Sequence, residues 1–184
     1  MAITFPTIPV LIDKFIVDFN AQAIVIFPWL NNPLGKLQEL TKHFDGKYIK
    51  VPAMFNDGNE YMEIFPDDTL VNYSWFQFSD IEPGERFRAA KVKATASFNL
   101  FVDLRTIYPN VTSRNTENLK LEILQGLKQI SLKTAAFRVI SISEKYEDVY
   151  KGFKLNETES KYFMQPYSGL NFKLDIYLKK LNCN

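Results

Sequence analysis

The stretch VKATASFNLFVDL, residues 92–104, decides the fold. Apolar side chains occupy its even-numbered positions, and polar or charged side chains occupy its odd-numbered positions except Phe101. Successive side chains of a β-strand point to opposite faces of the sheet, so an alternation of period two predicts a strand with one buried face. The run is also longer than the ~5–6 residues of an average strand. We therefore predict a long strand here, with a sheet built around it.

A second alternation and two helical patterns lie on either side of this strand. Residues 172–178 alternate in the same strict way, which predicts a closing strand. Residues 8–27 place apolar side chains at steps of three and four, which predicts an amphipathic helix that ends before Pro28. Residues 116–130 show the same spacing, with Thr116 as the N-cap residue. The sequence therefore predicts two strands and two helices, each of which is apolar on one side and polar on the other. We call these elements one-sided.

One-sided strands need an apolar partner, and the two helices provide it. We predict an α+β fold: an antiparallel sheet with a projecting hairpin, and two main helices packed on one face. The even-numbered positions of both long strands are expected to share one buried face, covered by the second helix. The 184 residues suit a single domain spanning residues 1–184.

The shorter elements follow from turn signals and local composition. We predict a short second helix over residues 33–43, which stops at Asp45-Gly46. A hairpin is expected around an Asp57-Gly58 turn. Its two strands and two further strands are expected at residues 48–55, 61–65, 72–78 and 137–142.

A long aromatic connection, residues 143–169, precedes the closing strand. A loop of this length in a small domain is usually functional or partly helical. Its aromatic side chains are Tyr146, Tyr150, Phe153, Tyr162, Phe163 and Tyr167. Aromatic residues are 15% of the whole chain, so the protein has more apolar aromatic surface than many folds of this size require.

The residues that most enzymes and metal sites use are scarce. Cys183 is the single cysteine and His43 the single histidine, so an internal disulfide and most zinc sites are excluded. The acids of residues 57–68 lack the ligand spacing of a calcium loop, and the chain has no P-loop or dinucleotide fingerprint. We expect no catalytic residues, no metal and no cofactor, and we expect His43 to be a dispensable surface residue at the end of an element.

Membrane and nucleic-acid signals are also weak. The most apolar run, residues 21–30, is ten residues long and contains Pro28, whereas a spanning helix needs about 20. Asp13 interrupts the N-terminal apolar stretch, so we expect no secretory signal and an intracellular protein. The net charge of +1 gives no global attraction to nucleic acid, and no motif indicates sequence-specific binding.

Charge is nevertheless segregated along the chain. Residues 51–85, the acidic hairpin region, contain eight acids and no lysine or arginine, while the rest of the chain holds 22 bases and 13 acids. Opposite charges on different faces suit head-to-tail contacts between identical subunits. The alternative is that the acids only keep an edge hairpin soluble. The residues predicted at a subunit contact are Asp57, Glu60, Glu63, Asp67, Asp68, Arg86, Arg88, Lys91 and Lys93.

The order of these features resembles the tail-completion (tail terminator) and neck proteins of tailed bacteriophages. Four segments are similar to that family in order and spacing: PDDTLVNYSWFQFSD, then VKATASFNLFVDL, then TENLKLEILQGLKQI, and finally NFKLDIYLKK. The resemblance covers residues 8–180, without a short diagnostic motif. It departs from the family at residues 143–169 and 33–46.

The resemblance implies a structural protein of the virion, assembled in the host cytoplasm. Such a protein is a non-enzymatic ring subunit, commonly hexameric, that terminates the tail tube or joins it to the head-side neck proteins. Its expected partners are therefore copies of itself, the tail tube and the neck. The alternative from a different class is a small-molecule or carbohydrate binding module that uses the aromatic connection, residues 143–169, as a platform.

Overall fold

The computed structural model describes residues 7–56, 60–66, 71–83, 90–110, 116–156, 159 and 161–179. Two long helices, two short helices and eight strands lie in these ranges. In chain order they are α1 (Ile8–Ile26), β1 (Asn32–Lys36), β2 (Gln38–Phe44), β3 (Lys47–Asn56), β4 (Glu60–Glu63), β5 (Tyr73–Pro83), β6 (Ala90–Asp103), α2 (Leu104–Ile107), α3 (Thr116–Leu127), β7 (Ala135–Ser143), α4 (Tyr146–Val149) and β8 (Tyr167–Lys179).

The main sheet has five strands in the order β1-β5-β6-β8-β7. The long strand β6 lies at its centre and pairs antiparallel with β5 on one side and β8 on the other. Phe98 of β6 lies opposite Phe76 of β5 and Phe172 of β8, so aromatic side chains of three strands meet on one face. Among the described strands, only β1 joins this sheet in parallel. The predicted α+β class with an antiparallel sheet is confirmed.

The main core lies between one face of this sheet and the two long helices. The even-numbered residues of β6 from position 92 to 102 are buried, as are Leu174 and Ile176 of β8. Helix α1 packs Phe15 and Phe19 against Phe76, Phe98 and Phe137 with ring centroids 5.0 to 6.4 Å apart. Helix α3 contributes residues Leu119, Ile123 and Leu127 to the same cluster. The predicted shared face, with two helices on it, is confirmed.

A second apolar cluster covers part of the opposite face, which the alternation alone did not predict. Phe101, the exception in the pattern of β6, is fully buried there beside Tyr73 and Trp75 of β5. The aromatic connection folds back over them and buries Tyr150 against Trp75, with ring centroids 5.0 Å apart. The main sheet is therefore covered on both faces near this end.

Two strands that belong to different sheets replace the predicted helix over residues 33–43, and that prediction was wrong. β1 joins the main sheet, whereas β2 pairs antiparallel with β3 in a small second sheet of order β2-β3-β4. Asp45 (φ 48°) and Gly46 (φ 72°) form the two-residue turn between β2 and β3. Two consecutive positive φ angles define the turn type that hairpins favour, and Asp-Gly is one of its preferred sequences. The Asp-Gly pair that we interpreted as a helix stop is a hairpin turn.

The other predicted strands lie close to their expected positions. The hairpin of residues 48–55 and 61–65 is present as β3 and β4, although its turn at Asp57-Gly58 lies outside the described residues. The strand predicted at 72–78 is β5, which begins at Tyr73 and continues to Pro83. The strand predicted at 137–142 is β7, which forms an edge of the main sheet.

Candidate functional site

The predicted subunit-contact residues are only partly described. Asp57, Asp67, Asp68, Arg86 and Arg88 lie outside the described residues, and for Lys91 the structure describes the strand but not the side chain.

The three remaining contact residues differ in what surrounds them. Glu60 is exposed at the start of β4. Glu63 forms an ion pair with Lys42 of the neighbouring hairpin. Lys93 lies 3.4 Å from Asp175, measured between Nζ and Oδ1. Two of the three are thus engaged within their own chain.

Asp175 is the centre of an ion cluster that the sequence did not reveal. Its carboxylate is buried on β8 and accepts hydrogen bonds from Nε and Nη2 of Arg138 at 3.0 and 2.7 Å. Burial by itself would raise the pKa of Asp175, but the Arg138 guanidinium and the Lys93 ammonium outweigh it and hold that pKa below its usual range. The cluster joins β6, β8 and β7 across the polar face of the sheet. Its members are spread over 83 positions of sequence, so only the strand pairing places them together.

A second charged contact fixes the aromatic connection. Asp103 caps α2 and binds Arg105 through both carboxylate oxygens, with Nη2 to Oδ2 at 2.7 Å. The Arg105 guanidinium lies 5.3 Å from the centre of the Tyr167 ring and donates to its hydroxyl. The hydrogen bond to Asp103 raises the pKa of Arg105 further above its ordinary value. This contact ties the end of the connection to the end of β6.

His43 has no catalytic surroundings among the described residues. It is exposed on β2, where its ring contacts Tyr48 at a centroid distance of 5.2 Å. No group of three or more His, Cys, Asp or Glu side chains that could hold a metal ion occurs in the described part of the chain.

The aromatic connection is mainly a packing element. Tyr150 is buried, and Tyr162, Phe163 and Tyr167 are partly buried against Phe101. Tyr146 and Met164 are exposed. Five of the six aromatic side chains of the connection are therefore buried or partly buried within the chain.

Exposed apolar side chains lie on a projecting hairpin, residues 38–50, which we call the arm. It comprises β2, the Asp45-Gly46 turn and the first half of β3. Phe44 is 71% exposed, Tyr48 is 80% exposed and Ile49 is 41% exposed. The pairing register places Phe44 and Ile49 on one face of the arm and Tyr48, opposite His43, on the other. Beyond its base the arm is thus exposed on both faces.

Two further apolar surfaces are exposed. The outer side of α1 carries Val10, Val17, Ile24 and Val25. An open groove of about 670 Å³ lies between α3 and β7 and is lined by side chains of Leu124, Leu127, Phe137, Val139 and Ile142 on its apolar side. Lys128, Arg138, Ile140 and Ser141 complete its lining.

Comparison with known proteins adds no assignment: no protein-family model, no curated protein and no solved structure matches this chain. Within the described residues, every helix is too short or too polar to cross a bilayer.

Proposed function

We propose that this chain is a structural protein of a phage virion, a ring subunit that terminates the tail tube or joins it to the neck. Its role in this proposal is non-catalytic, and its partners are copies of itself, the tail tube and the head-side neck proteins. The resemblance in element order supports the proposal, and so does the distribution of apolar surface on the folded chain.

The observation that carries the proposal is the arm. A two-stranded hairpin is only marginally stable in water, because it buries little surface. This arm exposes aromatic and aliphatic side chains on both faces, and large exposed apolar surfaces mark contacts with other proteins. An assembly in which neighbouring subunits enclose the arm would bury that surface.

The ion pairs on the arm do not account for its exposed apolar residues. Lys50 and Glu39 lie 2.8 Å apart across the hairpin, and both side chains are largely exposed. Exposed pairs of this kind contribute about 0–1 kcal/mol. They orient the strands but leave Phe44 and Ile49 in contact with solvent.

The experiment is a tube-capping assay. Purified chain is mixed with tubes assembled from the tube protein of the same genome, and the tube ends are imaged by electron microscopy. We expect ring-shaped particles at the ends and a mass in solution that rises with concentration toward a closed oligomer. Tube ends that look identical with and without the chain would overturn the proposal.

The acidic hairpin region provides a second test of the same proposal. We expect Glu60→Gln combined with Asp67→Asn and Asp68→Asn to slow assembly and to weaken its dependence on salt, because facing charges mainly set association rate and orientation. Glu63→Gln alone should have a smaller effect than the triple variant, since Glu63 already pairs with Lys42 in its own chain. Assembly that keeps its rate and its salt dependence in the triple variant would leave these acids with a solubility role only.

A further inference from the structure

The groove between α3 and β7 has the properties of a docking site for an apolar strand or hairpin. One wall is β7, a nine-residue edge strand that pairs with β8 alone in the described part of the chain. An edge strand presents unpaired backbone N–H and C=O groups, which an incoming strand can bind. The other wall is α3, whose Leu124 and Leu127 make the groove apolar.

The arm has matching properties and lies on the other side of the molecule. It follows directly after β1, and β1 and β7 are the opposite edges of the five-stranded sheet. Four strand spacings of ~4.8 Å separate these edges, about 19 Å. In the structure the groove is open and Phe44 remains exposed, so the arm does not fill the groove of its own chain.

We propose that the arm of one copy inserts Phe44 and Ile49 into the groove between α3 and β7 of a second copy. This inference rests on the proposed function and identifies the contact that would build the ring. Donor and acceptor surfaces differ and lie at opposite edges, so each copy can give an arm and receive one. A head-to-tail contact of this kind repeats from copy to copy and forms a ring when its rotation closes.

The two side chains supply part of the area that the contact needs. A fully buried aromatic side chain removes about 150–250 Å² from solvent, so Phe44, which is 71% exposed, can remove about 110–180 Å². That is roughly a fifth of the ~800 Å² that each partner buries in a stable interface, and Ile49, the arm backbone and the edge of β7 must supply the rest. The proposal selects one face of the arm, because the pairing register places Tyr48 on the other.

Photo-crosslinking tests the contact directly. A benzoylphenylalanine is placed at position 44, and a 1:1 mixture of isotopically light and heavy chains separates adducts between copies from adducts within one. We expect adducts between copies at residues 124–128 and 137–142. The same probe at position 48 is the control, since it is equally near the tip but on the opposite face. The inference would be overturned if the probe at position 44 forms no adducts, forms adducts only within one copy, or forms adducts outside residues 124–128 and 137–142.

Paired variants test its energetics. Phe44→Ser should weaken self-association about 30-fold or more, the loss typical of an interface hot spot, while Tyr48→Ser should have little effect. In the groove, Ile140→Lys should weaken self-association by a similar factor. Leu121→Lys on α3 is the control and should have little effect on self-association. Ile140 and Leu121 are both about half exposed, so neither change should unfold the chain. Equal effects of Phe44→Ser and Tyr48→Ser would contradict the assigned face.

Mixing the two defective variants distinguishes this inference from the proposed function. The Phe44→Ser chain retains an intact groove and the Ile140→Lys chain an intact arm, so together they should form dimers and nothing larger. If wild-type chains cap tubes and neither Phe44→Ser nor Ile140→Lys affects assembly, the inference is overturned and the ring proposal stands. Chains that associate through arm and groove but leave tube ends bare would overturn the virion role alone.

Discussion

Gly169 provides the sharpest test of how the aromatic connection is held on the sheet. It lies on β8 opposite Phe101, and its backbone needs no positive φ. A Cβ added at this position would lie 2.2 Å from Cε1 and 2.9 Å from Cδ1 of Phe163. Carbon atoms that are not bonded pack at about 3.5–4.0 Å, so Gly169→Ala must displace the Phe163 ring.

The magnitude follows from what the ring contacts. Phe163 packs against Phe101, Tyr150 and Tyr146 with centroid distances of 6.2, 6.0 and 6.0 Å. Each aromatic pair is worth about 0.5–1.5 kcal/mol, and Gly→Ala returns about 0.4–1 kcal/mol by restricting the unfolded chain. We expect Gly169→Ala to lower the free energy of unfolding by about 1–4 kcal/mol.

Urea denaturation followed by circular dichroism measures the loss, and a double-mutant cycle identifies its cause. In a Phe163→Ala background the space is free, so Gly169→Ala should be neutral or slightly stabilising. Gly35→Ala is the control, because its Cβ would meet only Met54 at 3.4 Å. The same loss in both backgrounds, or no loss in either, would refute the reasoning.

Three other predictions concern the packing of α3. Ile123→Ala should lower the free energy of unfolding by about 2–5 kcal/mol in urea denaturation, because Ile123 is fully buried and its removal leaves a cavity in the core. A loss below about 1 kcal/mol would place Ile123 outside the core. Gly126→Ala should cost about 1–3 kcal/mol in the same assay, since its Cβ would lie 2.3 Å from Phe27 Cε1 and 2.8 Å from Ile26 Cγ2. Phe27→Ala should remove only the part of that cost that comes from the Phe27 ring. Burial and the hydrogen bond to Glu122 raise the pKa of Tyr108 to about 12, so the stability it contributes is complete below pH ~10 and is lost as the pH rises toward 12. The difference in unfolding free energy between the wild type and Tyr108→Phe, measured against pH, should fall across that window, and a flat difference would contradict the shift.

Long periodic segments allowed most of the main sheet and its helices to be predicted. The alternation of β6 and β8 and the helical stripes of α1 and α3 each extend over many residues, and each stripe has one environment along its whole length. Such patterns report burial directly. The buried face shared by β6 and β8 could be predicted because each strand is apolar on one side and both apolar sides must pack against the helices.

The helix predicted over residues 33–43 was wrong because the apolar residues of this segment do not share one environment. Leu34, Leu37 and Leu40 occur at steps of three, which imitates a helical stripe. In the structure Leu37 is buried in the second cluster and Leu34 packs against it, whereas Leu40 is half-buried on the small sheet. Their spacing reflects separate environments along an extended chain, and only the Asp45-Gly46 turn indicated the hairpin.

Phe101 shows what a single exception can reveal. One large aromatic on the polar face of a strand indicates that something covers that face at that point. The aromatic connection, which covers Phe101, was also visible in the sequence. No feature of β6 or of the connection indicated that the two segments are in contact. Phe101 and Tyr167 stack at 5.7 Å because Asp103 ends β6 directly opposite Tyr167 of β8.

Charge segregation along a chain does not determine charge segregation in space. Lys93 illustrates the point: it belongs to a basic run in sequence, yet strand pairing sets it beside Asp175. Glu63 likewise belongs to the acidic hairpin region but pairs with Lys42 of the arm. Neighbours across a sheet, rather than along the chain, decide which charges remain available to a partner.

The chain's own side chains cover one face of the main sheet and part of the other, and this limits where a partner can bind. The two long helices cover one face, and the aromatic connection covers part of the other. In the described part of the chain, exposed apolar side chains include those on the arm, along the outer side of α1 and in the groove beside β7. The proposed contact between arm and groove uses two of these surfaces, which lie at opposite edges of the main sheet, so the same contact can repeat from copy to copy without either sheet face.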